Sequence, residues 1–259
     1  MIGVFDSGFG GLSVLAAIAR ALPHADLTYL ADTAHVPYGD KHDDFIRGRV
    51  LAIGRHLAEQ GCRILVVACN TATAHAVAEL RHQHPGIPVV GVEPGVKPAA
   101  QGTRTGRIAV LATESTARSE RLRHLIREHA AGIDVRIQPC PGWATRVEAL
   151  RLDGEELAAD IRARILPLLD AGVDRIVLGC THYAFLAPAI ERLARGHAEL
   201  VDVADAVARQ VRRVSGEANG HAHLHLRATA RPERLAAALP ALGLAALAGR
   251  VTDVGPASP

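Results

Sequence analysis

Short runs rich in Val, Ile and Leu alternate with longer amphipathic stretches along most of this chain, and they do so in two successive series. In the first, strands near 2 to 5, 27 to 30, 63 to 68 and 88 to 92 enclose helical patterns near 11 to 22, 42 to 60 and 72 to 82. Strand, helix, strand order predicts parallel pairing, because the chain must cross back over the sheet before the next strand can join it. Parallel strands covered on both faces lose the polar alternation of a half-exposed strand, as these runs do. After a turn-rich stretch over 93 to 106 the order restarts, with strands near 107 to 111, 134 to 138, 174 to 179 and 199 to 202. Helical patterns near 117 to 130, 155 to 171 and 184 to 195 lie in this second series. The expected fold class is α/β: two similar lobes with largely parallel sheets flanked by helices, pseudo-twofold related, with the active site in the cleft between them.

The two series also share wording. Ile108-Ala109-Val110-Leu111-Ala112-Thr113 echoes Ile2-Gly3-Val4-Phe5-Asp6-Ser7. The phrases Gly61 to Cys69 and Gly172 to Cys180 each run from a glycine through an apolar strand to a cysteine eight positions on. An internal duplication accounts for both. The remainder reads as a helix near 204 to 214, a strand near 222 to 228, an alanine- and leucine-rich helix near 232 to 247, and Val251-Thr252-Asp253-Val254. This tail is expected to return to the first lobe, so that 1 to 95 plus 206 to 259 form one lobe and 96 to 205 the other.

With 49% hydrophobic residues in 259, the chain can bury a large core. Lys+Arg 29 against Asp+Glu 27 leaves a formal charge of +2, too slim an excess to imply a nucleic-acid partner. No apolar run approaches the roughly 18 to 20 residues of a spanning helix, so no membrane association is expected. The start, Ile2-Gly3-Val4-Phe5, has no basic segment or cleavage signal, which suggests a cytoplasmic protein. Cysteines at 62, 69, 140 and 180 lack CxxC spacing and are expected as reduced thiols.

In an open α/β sheet the ligand sits outside the carboxyl ends of the strands, where loops and helix starts converge. That rule gathers Asp6-Ser7-Gly8, Asp32, Pro37-Tyr38-Gly39 and Cys69-Asn70-Thr71 from the first half. The second half adds Thr113, Thr116, Glu148 and Cys180-Thr181-His182. Helix-start amides favour a carboxylate or phosphate and the hydroxyls supply hydrogen bonds, so the implied ligand is small, polar and partly anionic. A cysteine at a helix start is expected to have its thiolate favoured. Two matched cysteines fit a reaction in which one removes a proton from carbon and the other returns one on the far side. Asp6 near Cys69 and His182 beside Cys180 could hold or transfer those protons.

Other readings compete. Gly8-Phe9-Gly10-Gly11 with Asp32 outlines a dinucleotide site, but Ser13 replaces the third glycine and both cysteines would be idle. A zinc site from Cys69, Cys180 and His182 has no usual ligand spacing. The stretch 215 to 223 with its histidines reads as a solvated loop, lacking a carboxylate or cysteine at ligand spacing. Trp143 and Phe185 read as packing, Asp32 as a turn cap or a site residue, and Arg118, Arg121, Arg123 and Arg127 as a solvated helix face.

The motifs Asp6-Ser7-Gly8 with Gly10-Gly11, Pro37-Tyr38-Gly39, Cys69-Asn70-Thr71-Ala72 and Leu178-Gly179-Cys180-Thr181-His182-Tyr183 resemble, in order and spacing, those of the glutamate racemases of bacterial cell-wall synthesis. These belong to the cofactor-independent aspartate/glutamate racemase superfamily. The resemblance spans essentially the whole chain. It implies that Cys69 and Cys180 are the two bases and that Asp6 and His182 assist proton transfer. It carries substrate contact onto Asp6, Ser7, Tyr38, Gly39, Asn70, Thr71, Thr181 and His182, and more weakly onto Thr113, Thr116 and Glu148. It further implies glutamate as substrate, no cofactor, neither pyridoxal phosphate nor metal, and a homodimer. The alternatives are racemisation of another acidic amino acid such as aspartate, or a non-catalytic two-lobed anion-binding protein. The chain departs from the family pattern at Ala184, where proline is usual, at Ser115 in place of a loop glycine, and at Val203 after Asp202.

Overall fold

The structure is a computed structural model that describes residues 1 to 216 and 220 to 259. The first series forms β1 (Ile2–Asp6), α1 (Leu12–Ala21), β2 (Leu27–Ala31), a 3-10 turn (Tyr38–Asp40), α2 (Asp43–Glu59), β3 (Ile64–Val67), α3 (Asn70–Gln83) and β4 (Val89–Gly91). A short α4 (Val96–Gly102) then leads to β5 (Arg107–Ala112), α5 (Glu114–Arg118), α6 (Glu120–His129), β6 (Asp134–Pro139), α7 (Trp143–Glu148), α8 (Glu155–Asp170) and β7 (Arg175–Leu178). A 3-10 turn (Thr181–Leu186), α9 (Ala187–Ala194), β8 (Glu199–Val201) and α10 (Ala204–Ser215) complete the second series. The tail supplies β9 (Leu224–Ala228), α11 (Glu233–Ala241), α12 (Ala245–Ala248) and β10 (Val251–Pro256).

All the strand pairs are parallel, in a six-stranded sheet ordered β10-β9-β2-β1-β3-β4 and a four-stranded sheet ordered β6-β5-β7-β8. The β2-β1-β3-β4 run and the β6-β5-β7-β8 run are the same order, strand for strand, as a duplicated unit requires. The tail adds β9 and β10 to the first sheet, beside β2.

Period-two geometry explains why the strands are apolar throughout. Val4 of β1 packs with α1 residues Leu15 and Ile18, while its neighbour Phe5 joins α2 residues Ile46, Val50 and Ile53 on the other face. In β5, Ile108 and Val110 face Leu122 and Leu125 of α6, and Ala109 and Leu111 share a core with Trp143 and with Ile161 and Ile165 of α8.

Three expected helices are divided. The 117 to 130 pattern breaks at Ser119, whose extended backbone and hydroxyl, accepting from the Leu122 amide, start α6 afresh. The 184 to 195 pattern begins as a 3-10 turn before α9, and the 232 to 247 pattern divides into α11 and α12. Helices α4 and α7 were not expected; α4 lies within the stretch read as turns. Part of the loop expected over 215 to 223, residues 217 to 219, lies outside the described residues.

Candidate active site

The strand order reverses between β1 and β3 in the first sheet and between β5 and β7 in the second, and a crevice opens at the carboxyl end of such a reversal. Asp6 closes β1, Cys69 follows β3, Thr113 follows β5 and Cys180 follows β7, so each reversal carries one cysteine.

Contacts between the two halves bring the expected residues together. Thr181 Oγ1 donates to Asp6 Oδ2 at 3.1 Å. Thr71 Oγ1 lies 3.1 Å from Thr113 Oγ1 and 3.2 Å from Thr116 Oγ1. Glu148 Oε1 accepts from the Phe9 amide at 2.5 Å and lies 2.7 Å from His182 Nε2, so one carboxylate oxygen ties α7 to the loop after β1 and to the turn after β7. Ser7 Oγ and the Gly8 amide both reach Asp6 Oδ1. Gly39 lies against Thr113: a Cβ at position 39 would come within 2.9 Å of the Thr113 Cβ.

The glycines of the first loop permit this closure. A Cβ on Gly8 would collide with the Glu148 carboxylate, and one on Gly10 would lie 2.7 Å from Thr181 Oγ1 and press into the His182 ring. What resembled a dinucleotide outline is clearance for the second half to pack against the first.

Electrostatics differ around the two thiols. Cys69 caps α3, its sulfur accepting from the Ala72 amide at 3.5 Å. Burial nevertheless pushes its pKa up, with the Asp6 carboxylate adding to the effect and the Ala72 amide opposing it. The helix start therefore does not lower this thiol, contrary to the expectation from its position: desolvation of the anion outweighs one amide. Cys180 begins a 3-10 turn and has His182 Nδ1 3.7 Å from its sulfur. Burial disfavours charge on His182, but Cys180 and Glu148 at its two nitrogens, with Asp6 beyond, hold its pKa well above the ordinary histidine value. A charged imidazole offers Nδ1–H to the Cys180 sulfur and Nε2–H to Glu148. Burial also raises Asp6, against the pull of His182 and the Gly8 amide.

Tyr38, Asp32 and Arg121 have partners that the sequence did not reveal. Tyr38 is buried in one core with Cys69, and its hydroxyl donates to Asp32 Oδ2 at 2.6 Å. Asp32 is no simple turn cap: fully buried, it also receives Arg49 Nε at 2.9 Å, Arg49 Nη2 at 3.0 Å and Thr229 Oγ1 at 2.8 Å, with His35 Nδ1 at 3.0 Å. Arg121 leaves the expected solvated face to pair with Glu93. Trp143 is core, its indole N–H on Asp160 and its ring edge-on to Tyr183. Sequence reasoning missed the amide of Phe9 and the His75 to Ser115 bond of 2.8 Å that joins α3 to α5. Ser115, where the family pattern has glycine, is fully buried and makes that bond with its hydroxyl.

One polar group in the site is left over. Asn70 is 4% exposed, and among the described residues neither its Nδ2 nor its Oδ1 has a hydrogen-bond partner. Such a group costs about 1–3 kcal/mol unless something pairs with it.

Two parallel-sheet halves closing over paired thiols define an enzyme of the Asp/Glu/hydantoin racemase family, whose model matches residues 2–211, and the chain belongs to that family. Its curated relatives carry one name in particular. The glutamate racemase of Stutzerimonas stutzeri is 45% identical over 245 residues, 93% of this chain and 93% of that protein. That of Pseudomonas aeruginosa PAO1 is 49% identical over 213 residues, 82% and 80% of the two chains. Among solved structures, Escherichia coli glutamate racemase in complex with L-glutamate and the activator UDP-MurNAc-Ala superposes with a TM-score of 0.81 at 31% identity, covering 93% of this chain and 95% of that one. Among the described residues no helix is long and apolar enough to cross a membrane.

Proposed function

We propose that this protein interconverts L- and D-glutamate by two-base α-proton transfer, with Cys69 and Cys180 as the bases on opposite faces of the substrate. The carrying observation is the placement of one buried cysteine at each strand-order reversal, around shared polar groups. In this reading Asp6 assists Cys69, and His182, held by Glu148, assists Cys180. Ser7, Asn70, Thr71, Thr113, Thr116 and Thr181 hold the substrate's polar ends, and the leftover amide of Asn70 finds its partner there. Tyr38 and Gly39 contribute through ring and backbone. Because an amino-acid α-proton is a weak acid, the developing enediolate needs fixed donors in a site that excludes water. The Cys69 thiolate, whose conjugate thiol is raised by burial, is a strong base toward the α-proton on its face, while the opposite cysteine donates its thiol proton to the carbanion.

The proposal includes a lobe of residues 1 to 95 plus 206 to 259 and a lobe of 96 to 205, a cytoplasmic homodimer, and supply of D-glutamate for peptidoglycan. What supports the substrate assignment is the glutamate named for the relatives and the hydroxyls of Thr71, Thr113, Thr116 and Thr181 that gather where the two halves meet. The test incubates the protein with D-glutamate or D-aspartate in deuterium oxide without added cofactor, following optical activity and α-deuterium together. Loss of optical activity with deuterium uptake on glutamate is expected; inertness of glutamate in a folded sample refutes the reading.

A further inference from the structure

A second cluster of potential ligands lies at the opposite ends of the strands. Parallel pairing of β2 with β9 sets Leu27 beside Leu224, so the residues that precede them also meet. Leu27 donates its amide to the His223 carbonyl at 2.8 Å. The amides of His221 and His223 both donate to Asp26 Oδ1, at 2.9 and 3.0 Å. The backbone thus fixes two histidines, two positions apart, around one carboxylate, and their rings stack with centroids 5.5 Å apart and planes 23° from parallel. Gly220 lets the chain come this close: a Cβ there would lie 2.7 Å from Asp26 Oδ2 and 2.8 Å from the His24 carbonyl.

Asp26 lies within electrostatic reach of Arg250 but is not paired with it. Among the described residues it makes no ion pair. Arg250, at the same corner, directs its guanidinium to the carbonyls of Ala222, Ala19 and Ala25 at 3.1, 3.0 and 2.6 Å. His225, next along β9, is engaged by Asp253. One ligand atom from each of Asp26, His221 and His223 lies within 4.8 Å of the others, and both imidazoles are exposed. Bonds of about 2.0–2.2 Å to a tetrahedral ion set its ligands roughly 3.4 Å apart, a separation that rotation of two exposed rings can reach.

We propose that Asp26, His221 and His223 form a binding site for one divalent transition-metal ion of the zinc class. Two imidazoles and one carboxylate suit Zn²⁺, Ni²⁺ or Cu²⁺, whereas Ca²⁺ and Mg²⁺ require more oxygen ligands. Remaining positions on the ion are open to water. The ion ties the amino-terminal end of β9 to that of β2, far from the carboxyl ends where the cysteines lie, so its effect is on the attachment of the tail and not on the reaction. Asp26 stands 195 residues from His221, so no ligand spacing pointed to this carboxylate.

The test is calorimetric titration of EDTA-treated, untagged protein with ZnCl₂, in parallel with His221→Ala, His223→Ala and the double variant. The wild type should bind one zinc ion that both single variants weaken by at least about tenfold, and zinc should raise the melting temperature of the wild type but not of the double variant. Cobalt substitution separates this site from the thiols: nitrogen and oxygen ligation gives no intense sulfur-to-cobalt absorption in the near ultraviolet. Zinc binding of equal strength in the double variant, a thiolate band that tracks the bound cobalt, or no binding at millimolar zinc overturns the proposal.

Discussion

Asp32→Ala should unsettle the protein far more than the loss of one side chain on a loop suggests. The carboxylate is fully buried and receives a bidentate Arg49 together with Tyr38 and Thr229. Removing one partner of a buried ion pair costs about 3–5 kcal/mol, because the other charge is left without compensation. The Arg49 side chain keeps 18% exposure, which argues for the low end, about 3 kcal/mol. The stranded hydroxyls of Tyr38 and Thr229 together add about 1 kcal/mol. A total near 4 kcal/mol should lower the thermal midpoint by roughly 8–16 °C in a chain of this size. Asp32→Asn, which keeps an acceptor for Tyr38, should lose about half as much. The pH dependence has a definite sign: partners hold Asp32 below the usual carboxylate range despite its burial, so the stabilisation is complete above an unfolded pKa of about 3.9 and fades as pH falls through the folded value. Circular-dichroism melts of both variants at neutral pH test this. An Asp32→Ala midpoint within about 2 °C of wild type refutes the reasoning.

Cys69→Ser and Cys180→Ser should each reduce racemisation by roughly 10²- to 10⁴-fold, measured by polarimetry; full activity in either removes the two-base mechanism. Gly179→Ala would place a Cβ 2.6 Å from the Leu111 carbonyl oxygen, which is backbone and cannot rotate away, so about 1–3 kcal/mol of stability should be lost in urea unfolding. An unchanged urea midpoint would show that β5 yields at no cost. His182 should titrate by NMR above the ordinary value of about 6.5, and lower in Glu148→Gln, which removes a charge that favours the imidazolium. Its contribution to stability is then complete below about 6.5 and lost as pH rises through the folded value; a wild-type midpoint at or below 6.5 contradicts this assignment.

The sheets and both thiols were legible because buried parallel strands leave long apolar runs and because the Gly-to-Cys phrase occurs twice. Strand β9 was legible as a segment expected to return to the first lobe, but its place beside β2 was not. Helix α7 escaped notice: its six residues, opened by a left-handed Gly142, are too few to display a period. Glu148 was gathered with the strand-end residues and matched a weaker family position, but no local signal foretold that its carboxylate would touch both the Phe9 amide and His182. Ser119 followed by Glu120 was a readable helix start inside an apparently continuous pattern. The true partners of Arg121 and Asp26 lie on distant segments, where no rule of spacing applies.

The six-stranded sheet takes its outer pair, β9 and β10, from strands that leave the ribosome after every strand of the other sheet. Until they arrive, β2 is a bare edge whose Leu27, Tyr29 and Leu30 end up fully buried. The four-stranded sheet, by contrast, is complete once β8 has emerged, and every strand in it comes from one uninterrupted stretch. During synthesis the second sheet can therefore close while the first still has an unpaired edge open to other chains. A message cut short before β9 would yield a protein with both cysteines present and an adhesive flank, a product suited to aggregation and to proteolysis.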